Sequence, residues 1–142
     1  MPRDLDEDLV ARLRMTTARL ARLLRQQDDS GLAPTSTAML AAIGREGPIT
    51  LGDLAAYEQV APPTITKAVD KLEAAGLVDR VRDETDRRVC RVVLTTAGRR
   101  QIDRNRSRRN AWLTRQMREL SGGDVAKLQA AIDILERLTN AP

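Results

Sequence analysis

Apolar residues recur at helical spacing through most of this chain, and six segments repeat the spacing clearly enough to predict helices. The predicted helices lie at residues 5–28, 34–46, 51–58, 62–75, from 95 or 96 to about 119, and about 124–139. Two short strands are predicted near 77–82 and 89–94, where valine is frequent, and Ile49 is predicted to be a short extended residue. A Ser-Gly-Gly break at 121–123 is expected to separate the last two helices. The pattern therefore predicts a mainly α-helical fold with one small β hairpin.

Several residues mark where these helices begin and end. Pro34 and Pro62 stand in predicted first turns, where a missing N–H costs nothing. Thr50 and Asp53 have the spacing of a capping box, in which the first side chain accepts a hydrogen bond from the backbone three residues on. Gly76 can adopt the left-handed conformation that ends many helices. These signals support the predicted boundaries of the second, third and fourth helices.

Residues 50–94 combine a helix, a tight turn, a second helix and a charged hairpin, in that order. Gln59 and Val60 leave room only for the turn, and the hairpin tip at 83–88 reads Asp-Glu-Thr-Asp-Arg-Arg. This order is that of a helix-turn-helix followed by a wing. In such proteins the second helix of the pair enters the major groove of DNA. The segment therefore predicts a winged helix-turn-helix.

The fourth predicted helix has an apolar side and a polar side. Its apolar residues, expected to be buried, are Ile65, Ala68, Val69 and Leu72. Its opposite arc is short and polar and carries Pro63, Thr64, Thr66, Lys67, Asp70 and Lys71. Threonine can contact a base or a phosphate, and lysine can pair with phosphate or guanine. Asp70 is expected to orient a neighbouring lysine or to face the flank of the helix, because phosphate would repel it. A solvated helix with no partner also shows a polar face, so the turn and the hairpin on either side support the DNA-binding interpretation.

The hairpin tip offers a second contact with DNA. An arginine at the apex of a wing can enter the minor groove, where negative potential is focused. Arg87 and Arg88 are the candidates, and Asp86 could hold one of them by a bidentate pair. The alternative is a charged turn that only keeps the hairpin soluble. The neighbouring recognition helix favours the first interpretation.

The fifth predicted helix is rich in arginine, with one acidic residue, Asp103, inside the cluster. Its basic residues are Arg99, Arg100, Arg104, Arg106, Arg108, Arg109, Arg115 and Arg118. Like charges this dense repel one another, and phosphates near the first turns would relieve the repulsion. Beyond residue 104 a solvated, arginine-rich helix is an equally good interpretation.

Composition limits the function to a few classes. The chain has 142 residues, which is the length of one domain, and its net charge of +4 favours a polyanionic partner such as nucleic acid. It has one cysteine and no histidine, so we expect no internal disulfide, no metal site, no cofactor and no enzymatic activity. No apolar run approaches the roughly 20 residues that span a membrane, so we expect a cytoplasmic protein without a membrane partner.

With these motifs in place, the chain resembles the MarR family of transcriptional regulators. The matching segments are Leu54-Ala55, residues 60–67 and 72–78, the wing Asp86-Arg87-Arg88, and residues 94–98 with the sequence Leu-Thr-Thr-Ala-Gly. The likeness is strong over 31–100, whereas residues before and after match only in helix layout. The chain departs from the family pattern at Ala33 and Ala61, which stand at helix caps where relatives carry Thr and Ser.

The resemblance implies a single domain over 1–142, with a winged helix-turn-helix lobe at 33–98 and dimerisation helices in 1–30 and 99–142. It implies a homodimer that binds double-stranded DNA at an inverted-repeat operator. The DNA-binding residues it implies are Pro62, Pro63, Thr64, Thr66, Lys67, Lys71, Asp86, Arg87 and Arg88. Of these, Arg88 would enter the minor groove and Asp86 would be its partner.

The resemblance also implies a ligand-responsive repressor, since many relatives sense small phenolic or lipophilic effectors. Others sense oxidants through cysteine, but Cys90 lies on a predicted wing strand, where a small buried hydrophobe is the better interpretation. One alternative function stays open at this point. A winged-helix module could serve protein–protein interaction without specific DNA binding.

Overall fold

The computed structural model of the chain describes residues 5–140. Within that range it has six helices and a three-stranded antiparallel sheet, which confirms the predicted mainly α-helical winged fold. The elements are α1 (Glu7–Arg25), α2 (Pro34–Glu46), β1 (Ile49–Thr50), α3 (Leu51–Glu58), α4 (Pro62–Ala74), β2 (Val78–Arg82), β3 (Cys90–Leu94), α5 (Thr96–Met117) and α6 (Gly122–Thr139). The predicted domain of 1–142 includes residues 1–4 and 141–142, which lie outside the described range.

One hydrophobic core lies among α2, α3, α4 and the sheet. All four residues predicted for the apolar side of α4 are buried in it. Helix α2 contributes Met39, Leu40 and Ile43, and the strands contribute Val78 and Val92. Burial of several such side chains stabilises the lobe, at about 1.5–3 kcal/mol for each fully buried one. The lobe is therefore held together by its own residues.

The sheet has the order β1-β3-β2, so the central strand β3 pairs on both sides. Ile49 of β1 and Arg80 of β2 both lie opposite Val92. The five paired positions of β2 and β3 make a regular antiparallel hairpin, closed by the tip at residues 83–89. This pairing fixes the wing on the lobe.

The predicted helix ends are mostly confirmed. The Thr50 hydroxyl accepts a hydrogen bond from the Asp53 N–H at 3.1 Å. Gly76 has a φ of 74°, and the N–H of the next residue, Leu77, donates to the Leu72 carbonyl at 3.0 Å. This is the bonding that a left-handed glycine allows at a helix end. Ala61 makes no side-chain cap at the start of α4, as its methyl group dictates.

Four boundaries differ from the prediction by two or three residues: α1 begins at Glu7 and ends at Arg25, α5 ends at Met117, and α6 begins at Gly122. Helix α1 ends at Arg25, three residues early, because residues 26–28 form turns instead. Helix α6 begins at Gly122, so the two glycines expected to break the chain form its first turn. The Ser121 hydroxyl accepts a hydrogen bond from the Asp124 N–H at 3.1 Å and caps the helix. The Ser121 cap explains why α6 can begin with two glycines, because a capped first turn tolerates glycine.

Helix α5 packs closely on the lobe because two glycines leave space for it. A Cβ on Gly98 would lie 2.1 Å from the Leu77 carbonyl oxygen, and one on Gly44 would lie 2.7 Å from Cδ1 of Ile102. Gly98 is the glycine of the Leu-Thr-Thr-Ala-Gly segment, so its role in that motif is to permit close approach of α5. The Thr95 hydroxyl donates to the Gly76 carbonyl at 2.7 Å and also caps α5.

Candidate nucleic-acid interface

The exposed side of α4 carries every DNA-binding residue predicted for that helix. Pro62, Pro63, Thr64, Thr66, Lys67 and Lys71 are all exposed. The buried residues Ile65, Val69 and Leu72 hold the opposite side on the core, which fixes the direction in which the polar arc faces. The Thr66 hydroxyl donates to the Pro62 carbonyl at 3.1 Å, so its oxygen keeps acceptor capacity. The arc presents methyl, hydroxyl and ammonium groups together.

Asp70 has a partner that the sequence interpretation did not identify. Its carboxylate accepts a hydrogen bond from Arg80 of β2 at 2.6 Å, and the same guanidinium donates to Glu73 at 2.8 Å. Asp70 therefore faces the flank of α4, which was one of its two expected positions, and its ion pair is with a strand arginine rather than a lysine. The hydrogen bond that Arg80 donates to Asp70 is the main cause that raises the pKa of Arg80.

The wing tip contains the predicted pair of Asp86 and Arg88. Nε and Nη2 of Arg88 donate to the two carboxylate oxygens of Asp86 at 3.1 and 3.2 Å, and the Arg88 N–H donates to the same carboxylate at 3.1 Å. These bonds to Arg88 lower the pKa of Asp86. The Arg88 side chain is nevertheless 92% exposed. Asp86 thus orients an arginine that points into solvent at the apex of the hairpin.

A second aspartate organises the tip from inside. Asp83 accepts hydrogen bonds from the Thr85 hydroxyl at 2.6 Å and from Arg91 of β3 at 2.5 Å. Together with backbone N–H groups of Thr85 and Asp86, these donors hold the pKa of Asp83 far below its usual range. This role of Asp83 was not predicted, although the Asp-x-Thr spacing is typical of a turn closed by an aspartate side chain.

Arg87 contributes to the tip through its backbone. Its carbonyl accepts a hydrogen bond from Nη1 of Arg82 at 2.9 Å, and its side chain is exposed beside that of Arg88. The hairpin tip is therefore cross-linked by side chains on both strands. A tip fixed in this way presents its two arginines with little freedom of the backbone.

The arginines of α5 fall into different environments. Arg109 forms a close two-point ion pair with Asp28, and Arg108 donates to the Gln27 carbonyl at 2.7 Å. Both tie α5 to the segment between α1 and α2. Arg106 is within 3.9 Å of Asp103 on the same helix. These contacts explain part of the arginine cluster without any nucleic acid.

A cavity of about 500 Å³ lies between α1, α2 and α5. Its apolar lining includes Leu24, Leu40 and Ile102. Its charged lining consists of arginines, Arg25, Arg45, Arg99, Arg106 and Arg109. Volumes of about 300–1,000 Å³ are typical of small-molecule sites. No ligand-binding role was predicted for the residues of this cavity, because its walls come from segments far apart in the chain.

Cys90 is half-buried at the start of β3, short of the full burial expected for it. Within residues 5–140, no helix is long and apolar enough to cross a membrane.

Comparison with known proteins agrees with this geometry. The model of the MarR family matches residues 32–90. An HTH-type transcriptional regulator of Mycobacterium bovis is 31% identical over 140 residues, which is 96% of each chain. The crystal structure of a transcriptional regulator from Pseudomonas aeruginosa superposes with a TM-score of 0.84 at 32% identity, over 99% of this chain and 100% of that one.

The same fold occurs in a mutant of MepR from S. aureus that is bound to an oligodeoxyribonucleotide. That structure has a TM-score of 0.71 at 19% identity and covers 95% of this chain and 99% of its own.

Proposed function

This chain belongs to the MarR family of transcriptional regulators, and we propose that it is a repressor that binds an inverted-repeat operator as a homodimer and releases it on binding a small effector. The observation that carries the proposal is the exposure of the threonines and lysines of α4, together with that of Arg88 at the tip of the wing that follows this helix.

Helix α4 is the recognition helix in this proposal. Thr64 and Thr66 contact base edges or phosphates, and Lys67 and Lys71 supply positive charge beside them. Pro62 and Pro63 carry no N–H to donate to phosphate, so we propose that they contact the DNA backbone through their apolar rings. The MepR mutant of the same fold is bound to an oligodeoxyribonucleotide, and we propose the corresponding mode for this chain.

The wing supplies the second contact. Arg88 enters the minor groove flanking the base pairs read by α4, with Arg87 on the adjacent phosphates. Asp86 orients the Arg88 guanidinium before DNA arrives, which reduces the side-chain entropy lost on binding.

Dimerisation is supported by the apolar residues that the single chain leaves exposed. Helices α1 and α6 have no buried residue, although both carry apolar stripes. Among residues 5–140, the large exposed apolar side chains lie in residues 5–20 and 120–138, apart from Tyr57 and Val81. Most of the stability of a helix in a protein comes from packing of its apolar face, so α1 and α6 need a second surface. A second copy of the chain provides it and places the two recognition helices about 34 Å apart, one turn of DNA.

Effector binding is assigned to the cavity between α1, α2 and α5. Its leucine and isoleucine walls favour a lipophilic body, and its arginines favour an anionic group on that body. The cavity lies between a terminal helix and the DNA-binding lobe. An effector that favours one arrangement of these parts therefore changes the spacing of the two recognition helices. Benzoate and phenol are matched probes, and we expect calorimetry to detect tighter binding of the charged one.

Selection of DNA by the purified chain tests the main proposal. Duplexes selected from a random library should converge on an inverted repeat with half-sites about one helical turn apart. Affinity for the selected duplex, followed by fluorescence anisotropy, should fall steeply as salt is raised. Failure to enrich any sequence, or enrichment without two-fold symmetry, would contradict the proposal and favour a protein-binding module.

Two charge-matched variants show whether the position of the lysines matters. The double variant Lys67→Ala with Lys71→Ala should bind the selected duplex weakly, with a salt dependence reduced by about one unit of slope for each phosphate that a lysine no longer neutralises. The control removes the same charge from exposed positions at the C-terminal end of α5, as Arg115→Ala with Arg118→Ala, the second of which is the residue that caps the helix. Equal reductions of affinity in the two variants would mean that net charge, and not the α4 face, determines binding.

A further inference from the structure

Arg80 is the one charged side chain that joins the recognition helix to the wing in the described part of the chain. It lies in the middle of β2, and its guanidinium contacts two carboxylates of α4. We propose that Arg80 is a positioning residue that fixes the angle between recognition helix and wing and neutralises Asp70 at the edge of the DNA-facing arc. The inference rests on the proposed DNA binding, but its mechanical part can be tested without DNA.

The geometry of this contact suits a rigid link. Asp70 and Glu73 are three residues apart on α4 and so lie on the same side of the helix. Nη2 of Arg80 is 2.6 Å from Asp70 and Nη1 is 2.8 Å from Glu73, so the two ends of one planar group hold two points of the helix. The Arg80 side chain is 26% exposed, less than either partner. Lysine offers a single ammonium and cannot span the two carboxylates in the same way.

Arg80 also belongs to the wing through its backbone. It pairs with Val92 in the hairpin, two residues before Arg82, which closes the tip through the Arg87 carbonyl. Any change in the angle of the hairpin relative to α4 would stretch the two ion pairs. The contact therefore couples the position of Arg88 to that of the recognition helix.

The second role concerns charge. Asp70 follows Lys67 by one helical turn and directly precedes Lys71, so its carboxylate lies beside the cations proposed to meet phosphate. Without Arg80 this exposed carboxylate would repel the DNA backbone and attract the lysines away from it. With Arg80 in place, the carboxylate is satisfied from the flank and the lysines stay directed outward.

The mechanical role is tested by distance measurement in the full chain without DNA. Spin labels go on cysteines introduced at the exposed residues Ala74 of α4 and Glu84 of the tip, with Cys90→Ser to remove the native thiol. Labelled chain is mixed with excess unlabelled chain. Pulsed electron paramagnetic resonance then gives the distribution of distances between the two labels of one chain. Arg80→Ala should broaden or shift the distribution, and Arg80→Lys should restore it only in part. The control, Arg104→Ala, removes an arginine hydrogen-bonded to Gln101 within α5 and should change nothing. An unchanged distribution in Arg80→Ala overturns the mechanical role.

The effect on DNA is tested by titration of a duplex selected by the wild-type chain. Arg80→Ala should weaken binding roughly tenfold, within the range of coupling between contacting residues. The slope of affinity against salt should stay unchanged, because Arg80 contacts no phosphate in this proposal. A slope reduced by about one would identify Arg80 as a phosphate contact and overturn its positioning role.

A second substitution separates the two roles of Arg80. Adding Asp70→Asn to Arg80→Ala removes the uncompensated carboxylate and should recover part of the lost affinity. No recovery contradicts the neutralising role. Glu73→Gln, which leaves the pair with Asp70 intact, serves as the milder variant should Arg80→Ala fold poorly. If the wild-type chain selects no duplex, the proposed DNA binding fails, whereas the distance measurement still decides the mechanical role.

Discussion

The lobe from α2 to β3 and the terminal helices α1 and α6 carry similar apolar patterns in different surroundings. In the lobe, Leu40 of α2 and both Ile65 and Leu72 of α4 are fully buried in the shared core. On the terminal helices, Leu9, Ile132 and Leu138 are 55%, 45% and 61% exposed. A periodic apolar stripe thus predicts that one face of a helix is buried. It does not indicate whether the residues that bury this face belong to the same chain. The predictions below test this difference, in order of decreasing effect.

Ile132→Glu on α6 should have the largest effect on DNA binding. The residue is exposed in the single chain, so the charge should leave the lobe folded and prevent the second copy from packing on α6. Loss of two-site engagement should lower operator affinity by a factor of about one hundred or more. Sedimentation velocity should show a monomer, and anisotropy should show the affinity loss.

Ala126→Glu is the matched control for that variant. It places the same charge on the same helix, on the side shared with Asp133 and Arg137 at helical spacing. It should remain dimeric. A dimeric Ile132→Glu chain, or a monomeric Ala126→Glu chain, would show that the apolar stripe of α6 is not the surface that meets the second copy.

Leu72→Ala tests the opposite side of the comparison, because its partners all lie within the lobe. Truncating a fully buried leucine typically lowers the free energy of unfolding by about 2–5 kcal/mol. Urea denaturation should show that loss, whereas Lys71→Ala at the exposed neighbouring position should stay within about 0.5 kcal/mol of wild type. A loss of less than about 1 kcal/mol for Leu72→Ala would mean that the core adjusts around the missing side chain more freely than its burial indicates.

The same difference explains what the sequence could predict. Local signals were sufficient for the helix boundaries of the lobe, for the buried side of α4 and for the Asp86–Arg88 pair, whose members are two residues apart. They were insufficient for Arg80 and Asp70, since that contact depends on how a strand packs against a helix. Arg109 and Asp28 are 81 residues apart, and no local pattern indicates their pairing.

Helix α5 illustrates a second limit. Its arginines were expected to meet phosphates near the first turns or to be solvated, and the structure instead directs Arg108 and Arg109 to the segment after α1. Charge density along a helix is visible in the sequence, but the distribution of partners around that helix is a property of the fold. The same holds for the cavity, whose arginines come from three helices.

Arg88→Ala should have a smaller effect than loss of the dimer. Removing the exposed guanidinium at the tip of the wing should cost on the order of 1–3 kcal/mol in operator binding, measured by titration at fixed salt. Arg88→Lys keeps the charge but loses the two-point pair with Asp86, and should fall between wild type and Arg88→Ala. An affinity unchanged by Arg88→Ala would show that the wing does not contact DNA.

Lys127→Ala on α6 should have the smallest effect, and it sharpens the comparison for that reason. Lys127 is exposed and carries the same charge as Lys67 and Lys71, but it lies on a terminal helix. If binding depended only on overall positive charge, the loss of Lys127 should weaken operator affinity as much as the loss of a lysine from α4. Because the DNA-facing surface is confined to α4 and the wing in our proposal, affinity at fixed salt should stay within about 0.5 kcal/mol of wild type. A loss of affinity as large as that of Arg88→Ala would mean that α6 also contacts DNA. In that case the same surface of α6 could not pack against a second copy of the chain.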